Sequence, residues 1–171
     1  MTSTSMNRLL FAVALAVGVA GCDNLGSAKS DQADVAAVKT ALATVEAGWN
    51  QAFHTKNLEA IVTPYASDAV LVLPGLPAQV GTAAIRNVYV EALKDPNFDL
   101  TLAIDRMDVA RSGELAFTQG HFTMKGTDPQ TKQATTIATG SYATIYKKQA
   151  DGNWKAIQDW AAANPPTGPA K

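Results

Sequence analysis

The sequence predicts an α+β fold, a curved antiparallel sheet wrapped around a long N-terminal helix with two further helices. Three observations predict it. Apolar residues recur at helical spacing early in the chain, strand-like alternation fills its second half, and turn residues punctuate that alternation. Val35, Val38, Leu42, Val45, Trp49 and Phe53 are separated by steps of three and four, one face of a long helix. Asp34 falls in its first turn. Asn57 is expected to cap a short helix over residues 58–63, with Pro64 at its end. Residues 69–73 read as a short apolar strand, broken by Pro74-Gly75-Leu76-Pro77. Thr82 is expected to cap a third helix running to Leu93, with Ile85, Val88, Tyr89 and Leu93 inward. Strands follow over residues 98–109, 115–125, 133–148 and 154–161. The first of them is expected to bury Leu100, Leu102, Ile104 and Met107. Turns fall at residues 111–114, at Gly126-Thr127-Asp128-Pro129 and at Asp151-Gly152. A bent sheet around a long helix leaves a cone-shaped cavity between them.

The segment before this domain has a different character. Arg8 precedes an apolar run of about 13 residues, too short to span a bilayer, which takes about 20. A basic start, a short apolar centre and small residues make a secretory signal, and a start at Met6 would give it the compact opening Met6-Asn7-Arg8. The run ends in Val19-Ala20-Gly21-Cys22, which resembles the lipobox of bacterial lipoproteins. That resemblance implies removal of residues 1–21 and attachment of lipid to Cys22. It places the domain in the periplasm on a membrane anchor, with the inner or outer membrane left open. A plain secretory signal with a chance cysteine is the alternative. Residues 22–32 read as the lipidated cysteine and a flexible polar tether, and residues 164–171 as a Pro/Gly-rich disordered tail.

Composition narrows the function. Without Arg8, 13 basic residues of the 14 remain against 15 acidic, a formal charge of −2. Nucleic acid, which calls for a basic face, is not an expected partner. Cys22 is the only cysteine, so a lipidated chain has no thiol for disulfides, catalysis or metal. With only His54 and His121 besides, no metal site and no cofactor is expected.

Four runs carry a resemblance to a known family. They are Trp49-Asn50-Gln51-Ala52-Phe53 with the helix joint after it, Tyr65-Ala66-Ser67-Asp68-Ala69-Val70, Gly81-Thr82-Ala83-Ala84-Ile85-Arg86, and Asp151-Gly152-Asn153-Trp154-Lys155 with Asp159-Trp160. In this order and spacing the chain resembles the SnoaL-like and ketosteroid-isomerase-like branch of the nuclear-transport-factor-2-like superfamily. The resemblance covers about Val35 to Ala161, within a domain read as residues 33–163. It implies a cystatin-like cone with three helices, a deep pocket and frequent homodimers through the open sheet face.

The family fold hosts many functions, so the pocket residues have to decide. Ketosteroid isomerases carry an aspartate base at the position that here is Leu73, before Pro74. Their second acid would fall at Gly140 or Ser141. Neither position can take a proton, which argues against that chemistry. Asp159 is the candidate replacement, because related proteins point a polar residue into the pocket there. A carboxylate walled by aromatics has a raised pKa and can act as a base. Its alternative role is a pocket-edge group bonded to backbone or to Arg86. His121, at mid-strand, is a second catalytic candidate, or else structural or facing a dimer partner. Trp49, Tyr65, Leu73, Tyr142 and Trp160 are the expected ligand-binding walls. Thr135, Thr136, Thr139 and Thr144 read as strand material and not as a site. The leading expectation is a tethered domain that binds a small, largely apolar ligand. A dimerisation or assembly module comes next, then an acid–base enzyme using Asp159 and His121.

Overall fold

Helix α1, Val35–His54, opens on Asp34, whose carboxylate accepts the Ala37 N–H at 3.0 Å. It is the helix cap and not a first-turn residue. The computed structural model of the protein describes residues 34–165. The apolar stripe of α1 faces inward, with Leu42, Trp49 and Phe53 almost fully buried. Its two ends of prediction fare differently: Val38 is buried, while Val35 lies at the exposed start. The helix stops where Lys56 takes a left-handed φ of 55°. The Lys56 N–H bonds to Phe53 O and the Asn57 N–H to Ala52 O, which closes the last turn on itself. Glycine usually fills that position. Here lysine holds it, and its ammonium reaches the carbonyls of Asp95 and Phe98 at 2.9 and 3.3 Å. Asn57 then caps helix α2, Leu58–Val62, through Ala60 N, as its residue type predicts.

Strand β1, Tyr65–Val72, starts earlier than predicted, because Tyr65 and Ala66 are already inward-facing. After the Pro74–Pro77 turn, the two-residue strand β2, Gln79–Val80, pairs back on β1 and runs into helix α3, Gly81–Ala92. Thr82 is not its cap. Gly81 turns the chain at φ 81°, so the capping position falls on Val80, which has no acceptor to offer. Ile85 and Tyr89 are the buried residues of α3.

Four long strands follow: β3 (Asp99–Val109), β4 (Leu115–Thr127), β5 (Ala134–Lys148) and β6 (Trp154–Ala163). β4 outlasts its expected end by two residues. The turn moves to residues 128–133, where the Asp128 carboxylate accepts the N–H groups of Gln130 and Thr131. β6 also runs on to Ala163, and Asn164 is tied to Thr139 by backbone and side chain. Asn164, expected in the tail, is thus joined to the sheet, while residues 166–171, the leader and the tether expected over residues 22–32 lie outside the described residues.

The six strands form one sheet in the order β2-β1-β6-β5-β4-β3. All neighbours are antiparallel except β1 and β6, which run parallel. Bulges at Asp105, at Ile137 and at Ile157 interrupt the ladders. Each adds a bend and a stronger twist, and together they curl the sheet around α1. The Asp105 bulge shifts the inward set of β3 from Leu100 and Leu102 to Met107 and Val109, and leaves Ile104 outside the core cluster.

β3 is an edge strand, and α1 covers its free edge. The Asn50 amide grips one residue of that edge twice: Oδ1 accepts the Leu102 N–H at 2.8 Å, and Nδ2 donates to Leu102 O at 2.9 Å. The helix side chain thus replaces a missing neighbouring strand. Replacing Asn50 with alanine leaves both backbone groups without a partner. Urea denaturation of Asn50→Ala is expected to show a loss of roughly 1–3 kcal/mol, and an unchanged midpoint would refute this role.

Candidate functional site

A cavity of about 450 Å³ lies between the curled sheet, α1 and α3. That is the size range of small-molecule pockets. Its wall is mostly apolar. Phe53 and Trp49 come from α1, Val88 and Tyr89 from α3, and Leu100, Leu102, Phe122 and Met124 from the sheet. Leu73, Pro74 and Leu76 come from the turn after β1. Among the described residues, no lysine, arginine or histidine lines it. Trp49 is held in place by its indole N–H, which donates to Ile61 O at 2.9 Å, and by tilted contact with Tyr65 at 5.2 Å between ring centres.

One charged group stands in this wall. Asp159 points inward from β6, and its carboxylate accepts two hydrogen bonds. Tyr65 donates to Oδ2 at 2.5 Å, and Thr144 from β5 donates to Oδ1 at 3.1 Å. Because Tyr65 spends its proton on Asp159, the 3.0 Å contact between the two phenols makes Tyr89 the donor to Tyr65. Burial pushes the Asp159 carboxyl up from its ordinary 3.8 to about 6. The bonds from Tyr65 and Thr144 pull the other way, and the nearby negative Glu46 adds to the rise. Burial and the Asp159 charge hold the Tyr65 and Tyr89 phenols above their usual range, so both remain donors.

A second carboxylate lies behind the wall. Glu46 of α1 is 2 % exposed and accepts from Tyr142 at 2.5 Å and from Tyr146 at 3.2 Å. The Thr118 hydroxyl approaches the same carboxylate without closing a hydrogen bond. Burial raises the Glu46 pKa against the lowering effect of these hydroxyls. Tyr142 lines the cavity, so this cluster reaches the pocket through one phenol ring. Room for that ring depends on Gly120 on the paired strand. A Cβ there would lie 2.9 Å from the ring and 2.0 Å from the Ala103 carbonyl oxygen.

Residues 46–157 match the family model of the SnoaL-like domain. The chain belongs to that family. Among solved structures it is similar to a ketosteroid isomerase-like protein from Erwinia carotovora atroseptica, at 23% identity and TM-score 0.64 over 74% of this chain and 96% of that one. An ntf2-like protein with a cystatin-like fold from Novosphingobium aromaticivorans is similar at 14% identity and TM-score 0.64, covering 75% and 83%. A Catenulispora acidiphila protein in complex with S-DNPA is similar at 15% identity and TM-score 0.61, covering 75% and 94%. No match emerges among curated proteins. At these identities the structural likeness shows the fold alone.

The SnoaL-like domain brings together four of the five wall residues expected from sequence, Trp49, Tyr65, Leu73 and Tyr142, with Asp159 among them. Two other candidates fall elsewhere. Trp160 follows Asp159 on the same strand, so alternation turns it to the outer face, where it is 56 % exposed and bonds to Gln158. His121 shares the outer side of β4 with Gln119, while Thr118, Gly120 and Phe122 face inward. It pairs with Asp105 at 3.1 Å in the open. An acid–base scheme that needs His121 and Asp159 in one cavity does not fit this geometry. Arg86 does not reach Asp159 either, since it pairs with Glu59. Thr144, read as strand material, is fully buried on the Asp159 carboxylate. Glu46 was missed, although the sequence carries its signal. It stands four residues after Leu42 and three before Trp49, an acid in the middle of an apolar helix stripe.

The raised pKa of Asp159 has a measurable consequence. Between pH 3.8 and about 6 the folded state holds a proton that the unfolded chain releases. Its contribution is therefore fully present below 3.8 and lost as pH rises through about 6. Stability of the domain is expected to fall by roughly 1–3 kcal/mol across that window. Asp95, Asp128 and Asp151, held low by hydrogen bonds, act with opposite sign at more acidic pH. Urea midpoints followed from pH 4 to pH 7 check this, and Asp159→Asn should reduce the slope, leaving the same-sign part that comes from the raised Glu46 carboxyl. A slope equally steep in Asp159→Asn would place the titration elsewhere.

Proposed function

We propose that this domain binds one small, largely apolar molecule and orients it by a single polar atom against Asp159. The observation that carries the reading is an apolar cavity of about 450 Å³ whose wall holds one charged side chain, fixed by Tyr65 and Thr144. Apolar walls supply affinity in proportion to the area taken from water, and one convergent polar group supplies orientation. The similar Catenulispora acidiphila protein, in complex with S-DNPA, supports reading this fold as a holder of small molecules. Leu73 stands in the wall where a ketosteroid-isomerase base would be needed, so the reading does not include that reaction.

An uncharged fluorophore tests the cavity directly. N-phenyl-1-naphthylamine is expected to brighten and shift to the blue on mixing with the domain. Ala138→Trp, which fills the cavity from the sheet side, should abolish the change while leaving the melting temperature near that of the parent. Equal brightening in both proteins would remove the cavity as the binding site.

The same reading keeps the domain exported and lipid-anchored through Cys22, on the strength of Val19-Ala20-Gly21-Cys22. Cell fractionation is the check. Cys22→Ala should move the protein from the membrane fraction to the soluble one, and an unchanged distribution would discard the anchor.

A further inference from the structure

We infer that the molecule this pocket takes is a lipophilic amine, bound with its protonated nitrogen against Asp159. The inference rests on the small-molecule reading above and names the chemical class of the ligand.

Charge balance around the cavity points to a cation. Among the described residues, Asp159 is the only ionisable side chain in the wall other than tyrosines, and no lysine, arginine or histidine faces it there. The nearest carboxylate behind the wall, Glu46, adds negative potential and no compensation. Arg86 and Lys94, the basic residues closest in sequence to the lining residues of α3, are committed to Glu59 and Glu91. A buried carboxylate is expensive to ionise unless a positive partner meets it. Among the described residues none does, so a positively charged guest would supply the compensation that the wall lacks.

The hydrogen-bond inventory agrees. A carboxylate has about four lone-pair sites. Tyr65 takes one on Oδ2 and Thr144 one on Oδ1, which leaves one on each oxygen. Every neighbour that is satisfied already donates, so the vacancy is for a donor. An ammonium fills it with a charge-assisted bond, whereas a ligand carboxylate or phosphate would meet only repulsion. The aromatic wall is suited to the same guest. Trp49, Tyr65, Tyr89, Phe98, Phe122 and Tyr142 surround the cavity, and ring faces attract a cation while they bury its apolar body. A hydroxyl would also donate, but it brings no charge to a site whose deficit is charge.

Three probes with one apolar body separate these cases: 1-naphthylmethylamine, 1-naphthalenemethanol and 1-naphthoic acid. Calorimetric titration of the domain at about pH 7.5, above the Asp159 titration, gives their relative affinities. The amine is expected to bind at least ~10-fold more tightly than the alcohol, with the acid weakest. In Asp159→Asn the ratio of amine to alcohol should fall to about one. An alcohol or acid that equals or beats the amine on the parent protein overturns the inference, whether or not Asp159→Asn folds. Binding of all three without preference overturns the amine alone and keeps the cavity. Failure of all three, together with failure of the uncharged fluorophore, removes the cavity reading and this inference with it.

Discussion

An uncompensated carboxylate in an apolar interior sets the terms for the rest of this domain. Asp159 and, behind it, Glu46 both lie where ionisation is penalised, and among the described residues no cation comes to either. The interior answers with hydroxyls. Tyr65, Tyr89 and Thr144 serve one acid, and Tyr142 and Tyr146 serve the other. Hydroxyl donors soften the penalty without neutralising the charge, which is why the pKa of Asp159 stays raised instead of falling. Large aromatic residues with polar tips are the natural material for such a wall, since one side chain supplies both the apolar surface and the donor. The polar arrangement and the apolar cavity are thus one construction, made by the same residues.

That construction needs a sheet that bends. The bulges in β3, β5 and β6 curl it, and the Ile157 bulge also resets which residues of β6 face inward. Trp154 and Ala156 are inward before it, and Asp159, Ala161 and Ala163 line the cavity after it. An unbulged strand would present residue 158 or 160 in place of the acid. At the far edge, Asn50 fixes α1 to β3 and so sets the distance between the helix that carries Trp49 and Phe53 and the strand that carries Leu100 and Leu102. A few polar contacts and irregularities thus place the apolar residues that line the cavity.

Local signals in the sequence were read well where local physics decides. The stripe of α1, the Asn57 cap, the Pro74–Pro77 turn and the Asp151-Gly152 hairpin all follow from residue type and spacing. Thr82 misled because a capping residue is recognised by its type, while its place depends on where Gly81 turns the chain. Asp159 and Trp160 cannot both face one pocket, as alternation alone requires, yet the aromatic type suggested a wall. The mid-strand position of His121 is legible from alternation, but which side of the sheet is inner depends on packing against α1. Thr144 and Glu46 acquire their roles from residues 15 and 96 to 100 positions away; the helix stripe marks Glu46 as an inward acid, but no local pattern names the partners of either residue.

The parallel pairing of β1 with β6 also orders events in time. Tyr65 and Asp159 are 94 positions apart, and β1 sits in the sheet between β6 and the two-residue β2. Helices α1 and α2 and the hairpins of β3, β4 and β5 use near neighbours and can form as soon as they are made. β1 has no long partner until β6 arrives, at the end of the domain. Pairings of such sequence separation are slow, because the loop must be closed before any contact rewards it. Until β6 is made, the chain lacks Asp159, Ala161 and Ala163 of the cavity wall. The last ten-residue strand completes the fold and creates the site in one step.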